Sequence, residues 1–115
     1  MEKTQVLQIV ATEPKPGTEA KFNKWYNEEH IPLAIKFKGM QKISRYKVQG
    51  ENKQFPTYLA FYYFESKEAA DAYGPSPEFA AVRKNKEETW KDDAYDMKWN
   101  VRYELIKTWQ GKGKS

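Results

Sequence analysis

The sequence contains no cysteine and only one histidine, His30. The absence of thiols excludes disulfides, cysteine nucleophiles, and zinc or iron–sulfur centres held by thiolates. No apolar run approaches the ~20 residues that a membrane-spanning helix requires, and the N-terminus has no signal-peptide pattern. We therefore expect a soluble, cytoplasmic protein with no membrane partner.

The excess of positive over negative charge is also small. Lysine and arginine number 20 against 16 aspartates and glutamates, and the two signs are mixed along the chain. Because no basic stripe, helix-turn-helix, zinc-finger or RRM pattern occurs, we expect no nucleic-acid partner. Aromatic residues make up 16% of the chain, which argues for a folded core. The 115 residues predict one domain, with a core over about residues 5–109 and a flexible tail at 110–115.

Hydrophobic patterning predicts the element order β-α-β-β-α-β. Helices are expected to begin after Thr18, Ser66 and Ser76, each of which stands in an N-cap position. This order is the split βαβ pattern of ferredoxin-like folds, an α+β class with a four-stranded antiparallel sheet and both helical segments on one face. The predicted strands, rich in β-branched and aromatic residues, are 5–12, 41–49, 57–65 and 98–109.

The third predicted strand, "TYLAFYYFE", is apolar on both of its faces. Because the helices cover only one face of the sheet, the other face is left with bare aromatic side chains. Such a face predicts a homodimer that forms through the open side of the sheet. The alternating sets are Tyr58, Ala60, Tyr62 and Phe64 on one side, and Leu59, Phe61 and Tyr63 on the other.

The stretch "FNKWYNEEHIP", residues 22–32, is similar to the F-x-x-W-Y-x-x-E-H-x-P pattern of EthD-like first helices. "SPEF" at 76–79 and "YELI" at 103–106 also resemble segments of these proteins. The resemblance, which spans about residues 5–109, implies a dimeric α+β barrel in which each half holds an apolar pocket between its helices and its sheet. The wider superfamily includes cofactor-free monooxygenases, isomerases, cyclases and haem-degrading enzymes, so the resemblance implies fold and pocket more than a reaction.

His30 and Tyr26 are the candidate catalytic residues. They lie one helical turn apart, at the edge of the inward stripe, and the EthD-like resemblance places a histidine at position 30. Imidazole titrates near neutrality and suits proton transfer, while a phenol can donate to a substrate oxygen. Two structural alternatives remain open. In one, His30 closes a helix that Pro32 kinks and bonds a freed carbonyl or Glu29; in the other, Tyr26 is part of the core.

Four further residues are candidates for ligand contact. Trp25, Tyr46 and Tyr62 are expected to shape the walls of a pocket for a small apolar or aromatic metabolite, although the first also suits packing between helix and sheet. Arg102 can bind a carboxylate on the ligand or pair with Glu104 across strands. The last strand would place both of these charged side chains on one face.

We expect no metal and no cofactor. Glu28, Glu29 and His30 are adjacent, and neighbours on a helix diverge by ~100°, so the three cannot converge on one ion. The favoured function is cofactor-free acid–base chemistry of the isomerase, cyclase, dehydratase or monooxygenase type on a small aromatic or carbonyl compound. His30 would move the proton and Tyr26 would hold the oxygen. The alternatives are a non-catalytic binding or carrier protein, and a dimer whose role is assembly alone.

Overall fold

The computed structural model describes residues 4–51, 54–90 and 95–113. Its four strands form one antiparallel sheet in the order β2-β3-β1-β4, which confirms the predicted ferredoxin-like α+β fold. Serial neighbours β2 and β3 form a hairpin, and β1 lies between β3 and β4. The strands are β1 (Val6–Pro14), β2 (Met40–Lys47), β3 (Tyr58–Phe64) and β4 (Tyr95–Glu104).

Helices cover one face of this sheet and build the core there. Phe22 and Trp25 from the first helical segment and Val82 from the second pack with the inward side chains of β1 and β3. None of the helices within the described ranges is long and apolar enough to cross a membrane. The helices are α1 (Glu19–Trp25), α2 (Ile31–Ala34), α3 (Lys67–Tyr73) and α4 (Pro77–Thr89), and a π-helical turn (Tyr26–His30) joins the first two.

The sequence predicts a kink or break near His30 because of Pro32, and the structure shows no break there. Ile31 keeps right-handed helical geometry, and its N–H reaches back five residues to the carbonyl oxygen of Tyr26. The chain thus passes through a wider π-helical turn and then continues as α2, in which Pro32 occupies the first turn, where a missing N–H is tolerated. A single π turn within a helix often accompanies a functional site.

The N-cap predictions are confirmed for two of three residues. The Oγ atoms of Ser66 and Ser76 accept hydrogen bonds of 3.1 Å from backbone N–H groups at the starts of α3 and α4. Thr18 behaves differently, since its hydroxyl donates to the carbonyl oxygen of Lys15 at 2.7 Å and makes no cap bond to α1. A preceding turn can compete for a threonine hydroxyl in this way.

Replacing Ser76 by alanine should lower the free energy of unfolding by about 1 kcal/mol. Its buried hydroxyl accepts from the N–H of Phe79 and donates to the carbonyl oxygen of Tyr73 at 2.6 Å, so the change removes both bonds at the start of α4. Urea unfolding would measure the loss, and Thr4→Ala, at an exposed position before β1, is the control. Equal stability of Ser76→Ala and the unaltered protein would contradict the capping role.

The side of the sheet opposite the helices, here called the open face, is covered by no helix or strand of the described residues. Strand register places side chains of all four strands on it, and the exposed fraction is 52% for Tyr46 and 55% for Tyr103. These aromatic side chains contact water, whereas the opposite face of β3 is well buried. The large apolar residues of the open face are Leu7, Ile9, Tyr46, Leu59, Phe61, Tyr63, Trp99, Val101 and Tyr103.

The last strand ends five residues earlier than predicted, at Glu104 rather than 109. Residues 105–113, here called the C-terminal arm, carry no helix or strand and are exposed, including Ile106 at 96% and Trp109 at 74%. The N–H of Leu105 still bonds the carbonyl oxygen of Gln5, but β1 extends no further in that direction. Of the predicted flexible tail, residues 114 and 115 lie outside the described residues. The radius of gyration, 15.5 Å, exceeds the ~13 Å of a compact chain of this length.

Candidate functional site

A cavity of about 320 Å³ lies between the sheet and the helices. Its floor comes from β1, β3 and β4, and its walls come from the π-helical turn, α3 and α4. The apolar part of the lining includes Val10, Phe79 and Val82, and an amide pair, Gln8 and Asn100, lies on the floor with its side chains hydrogen-bonded at 2.5 Å. The volume falls in the range of small-molecule sites.

Tyr26, Tyr62 and His30 line this cavity and form one continuous hydrogen-bonded chain, here called the hydroxyl–imidazole chain. The two phenol oxygens are 2.8 Å apart, and the oxygen of Tyr62 is 3.2 Å from Nε2 of His30. Tyr62 therefore occupies the centre of the chain, although the sequence predicts it only as a wall. Nδ1 of His30 is buried and has no hydrogen-bond partner among the described residues.

All three groups of the chain are neutral at neutral pH. Burial lowers the pKa of His30 to about 4, with further lowering by the positive charges of Lys86 and Arg45. Burial raises the pKa of Tyr62 well above its usual value, and the neighbouring Tyr26 adds to this effect. Burial also raises the pKa of Tyr26, against smaller opposing effects of its hydrogen bond and of Arg45. The site therefore presents phenol donors beside an unprotonated imidazole.

Two aromatic rings pack against the histidine, and an asparagine binds one of them. The ring centroid of His30 lies 4.5 Å from that of Tyr26 and 4.9 Å from that of Trp25. The indole N–H of Trp25 donates to Oδ1 of Asn85 at 2.7 Å, and the amide of Asn85 donates to Glu29 at 3.0 Å. Glu29 is thus engaged by α4. A histidine that closes the helix was expected to bind Glu29 or a freed carbonyl. His30 instead binds the hydroxyl of Tyr62.

Two of the predicted wall residues lie outside the cavity. Trp25 is buried behind His30 and packs between helix and sheet, which was the structural alternative for this residue. Tyr46 points to the open face, where its ring centroid is 4.9 Å from that of Phe61. Its predicted place beside the pocket was wrong, because alternation along β2 puts it on the other side of the sheet from Arg45.

Arg102 does line the cavity, but it does not pair with Glu104 as the sequence suggests. Its Nη1 donates to Oδ1 of Asp71 at 2.6 Å and its Nη2 to the carbonyl oxygen of Ala70 at 3.1 Å. These bonds tie β4 to α3. Arg102 reaches these partners because α3 lies over the face of β4 that carries its side chain.

Three cationic residues near the site received no role from the sequence. The guanidinium carbon of Arg45 is 4.4 Å from the ring centroid of Tyr26, and Arg83 and Lys86 line the cavity. The spacing of residues along α4 indicates part of this arrangement. Phe79, Val82, Arg83 and Lys86 follow the i, i+3, i+4, i+7 pattern of one helix face, so the cations continue the apolar stripe of α4.

The polar groups of the cavity are thus phenols, an imidazole, amides and cations. Such groups can hold an oxygen of a ligand and transfer a proton to or from it. Within the described ranges, no three or more histidine, cysteine, aspartate or glutamate residues are grouped so that they could hold a metal ion. Sequence reasoning named Tyr26, His30, Tyr62 and Arg102, and the fold brings all four to one cavity.

A family model described as a domain of unknown function, DUF4286, matches residues 5–98. That range includes the hydroxyl–imidazole chain and all of α4. No curated protein matches the sequence significantly.

Solved structures show where else this fold occurs. An ethyl tert-butyl ether degradation (EthD) family protein from Bacillus halodurans is 15% identical to this chain, with a TM-score of 0.66. The aligned region covers 90% of this chain and 99% of that protein. A putative antibiotic biosynthesis monooxygenase from Bordetella bronchiseptica is 16% identical, with coverages of 90% and 99% and a TM-score of 0.64. A dimeric protein of unknown function with a ferredoxin-like fold, from Bacteroides fragilis, is 20% identical, with coverages of 88% and 96% and a TM-score of 0.61. These similarities confirm the ferredoxin-like α+β fold.

Proposed function

Because the chain belongs to the DUF4286 family of domains of unknown function, we propose its function from the cavity itself: proton transfer, without a cofactor, on a small aromatic or carbonyl compound. The observation that carries the proposal is the hydroxyl–imidazole chain on the wall of an otherwise largely apolar cavity. A flat, weakly polar compound fits such walls, and the chain supplies the groups that a proton transfer needs.

In the proposed reaction, a C–H bond next to the substrate carbonyl breaks and its electron pair moves to the carbonyl oxygen. The proton passes to the oxygen of Tyr62 while the hydroxyl proton of Tyr62 passes to Nε2 of His30, 3.2 Å away. Tyr26 donates to the enolate oxygen, and the charge of Arg45 over its ring favours that donation. Return of the proton to another atom of the enolate completes an isomerisation.

One observation favours the carrier function as a second candidate. A pKa of about 4 makes His30 a weak base while the cavity is empty. A general base works best when its pKa lies near the working pH. In a carrier, the same neutral imidazole and phenols would only orient the bound compound through hydrogen bonds.

Hydrogen–deuterium exchange distinguishes the two functions without knowledge of the natural substrate. The aryl ketone 2-tetralone, which has acidic C–H bonds beside its carbonyl, would be incubated with the protein in D₂O and followed by NMR. We expect the protein to accelerate exchange, and His30→Ala and Tyr62→Phe to reduce that acceleration by about 10²-fold or more. Tyr46→Phe, on the open face, is the matched control and should leave the rate unchanged.

Binding of 2-tetralone, followed by chemical-shift changes in the protein, completes this experiment. Binding with no acceleration of exchange would contradict proton transfer and favour the carrier. Acceleration that survives in both His30→Ala and Tyr62→Phe would show that the hydroxyl–imidazole chain is not responsible.

We further propose that two copies of this chain pair through their open faces. Support comes from the uncovered aromatic side chains and from the C-terminal arm, in which Ile106 and Trp109 are exposed. Uncovered apolar area of this kind usually marks an interface. Similar structures include proteins described as dimeric. Each copy would keep its own cavity, because the cavity lies on the helical side of the sheet.

A further inference from the structure

The charges around the cavity are of one sign. Arg83, Lys86 and Arg102 line it, and no aspartate or glutamate is among its described lining residues. Arg102 already binds Asp71. Arg83 and Lys86 make no ion pair within the described part of the chain, and each instead lies against an aromatic wall. Lys86 Nζ is 5.0 Å from the ring centroid of Tyr95, and the guanidinium carbon of Arg83 is 5.6 Å from that of Phe79.

We propose that the natural ligand is an organic anion, an aromatic or otherwise flat compound that carries a carboxylate. Its apolar body would lie in the cavity and its carboxylate would bind Lys86 and Arg83 at the rim. This inference names the ligand class for the site of the proposed function and rests on that site. A cleft with low-dielectric walls and charges of one sign concentrates ligands of the opposite sign.

The nearby carboxylates do not cancel this positive potential. Asp71 lies outside the lining and is held by Lys67 at 2.8 Å as well as by Arg102. Glu78 is also outside the lining. The pKa of Tyr73 is raised to about 12 by burial first, then by Tyr26, and least by Glu78. Lys86 and Arg83 are thus the cations on the wall that an incoming carboxylate can reach without displacing a carboxylate of the protein.

An anionic ligand would also alter His30. Lys86 and Arg45 both lower the pKa of this histidine, in addition to the larger effect of burial. A carboxylate bound to Lys86 opposes that positive charge, so the pKa of His30 should rise when the ligand is bound. The remaining groups that face the imidazole, namely Tyr62, Tyr26 and Trp25, are neutral. The ligand would thereby strengthen the base that acts on it.

The test compares 2-naphthoate with 2-naphthamide, which has almost the same shape but no charge. Calorimetric titration at low salt should show the carboxylate binding about tenfold or more tightly, because a charge-assisted hydrogen bond replaces a neutral one. The preference should shrink in 0.5 M sodium chloride, since salt screens charges near the surface. In the double variant Arg83→Gln, Lys86→Gln, the two compounds should bind within about twofold of each other.

Lys84→Gln is the matched control, because Lys84 is on the same helix and exposed but does not line the cavity. It should keep the preference for 2-naphthoate. The proposal is overturned if naphthoate and naphthamide bind the unaltered protein equally, if naphthoate does not bind at all, or if Lys84→Gln reduces the preference as much as the double variant. These binding results do not test proton transfer, which is measured separately with the neutral ketone 2-tetralone. If 2-tetralone shows no accelerated exchange, the preference for the anion can still be measured by binding.

Discussion

Replacing Phe61 by aspartate is expected to convert the proposed dimer into monomers. Phe61 lies near the middle of the open face, with ring centroids of Tyr46 and Tyr63 at 4.9 and 6.4 Å. Covered by a second copy, the new carboxylate would be buried without a partner, at a cost of about 3–5 kcal/mol. Because each copy contributes one such residue to a symmetric interface, the cost is incurred twice.

Sedimentation equilibrium measures this result directly. The unaltered protein should sediment at twice the chain mass of 13.6 kDa, and the Phe61→Asp variant at the chain mass. Ala81→Asp, which places the same charge on the exposed surface of α4, should remain dimeric. A Phe61→Asp variant that stays dimeric, or an unaltered protein that is monomeric, would contradict pairing through the open face. Tyr62→Asp should instead unfold the chain, because Tyr62 is buried among the helices.

The second large effect concerns pH. His30 has a pKa of about 4 in the folded protein and about 6.5 in the unfolded chain. Between these values the unfolded state binds a proton that the folded state does not, so the free energy of unfolding falls as the pH is lowered from 6.5 towards 4. Above pH 6.5 the histidine has no such effect. The loss between pH 7 and pH 4.5 should be about 2 kcal/mol from this residue alone.

His30→Gln isolates that contribution, since glutamine does not titrate but keeps a side-chain amide near Tyr62. Urea unfolding at pH 7 and at pH 4.5 should show a smaller loss of stability in His30→Gln than in the unaltered protein, by about 2 kcal/mol. The carboxylates of the chain are common to both proteins and cancel in the comparison. Identical pH dependence of the two proteins would mean that His30 is not desolvated as the structure has it.

Local signals determined most of the fold. Ser66 and Ser76 cap their helices as expected, because a side chain and an N–H three residues later meet without help from distant parts of the chain. The alternating pattern of β3 likewise predicted the two sets of side chains that lie on opposite faces of the sheet, and the fold decided which set faces the helices. Strand ends were less predictable. Residues 105–109 have strand-forming composition, but within the described residues β4 ends at Glu104, and only Leu105 makes one further bond, to Gln5.

The sequence predicted only part of the candidate site, because local signals do not determine which distant residues meet. His30 and Tyr26 are neighbours along one helical segment, so the sequence could relate them. The central position of Tyr62 depends on which residue of β3 lies beneath the π-helical turn, and Tyr46 was misplaced because its face depends on how β2 pairs with β3.

Periodicity and capping act over a few residues, and they determined the element order and the ferredoxin-like class. His30 was chosen because it is the one histidine of the chain and because the EthD-like resemblance places a histidine there. Tertiary structure decided the rest: the π-helical turn in place of a break at Pro32, the partner of Arg102, and the gathering of three cationic residues on the lining of one cavity. The hydrogen bonds of the site join residues far apart in the chain, since 32 positions separate His30 from Tyr62 and 31 separate Arg102 from Asp71. Only packing of helices onto the sheet brings such residues within hydrogen-bonding distance.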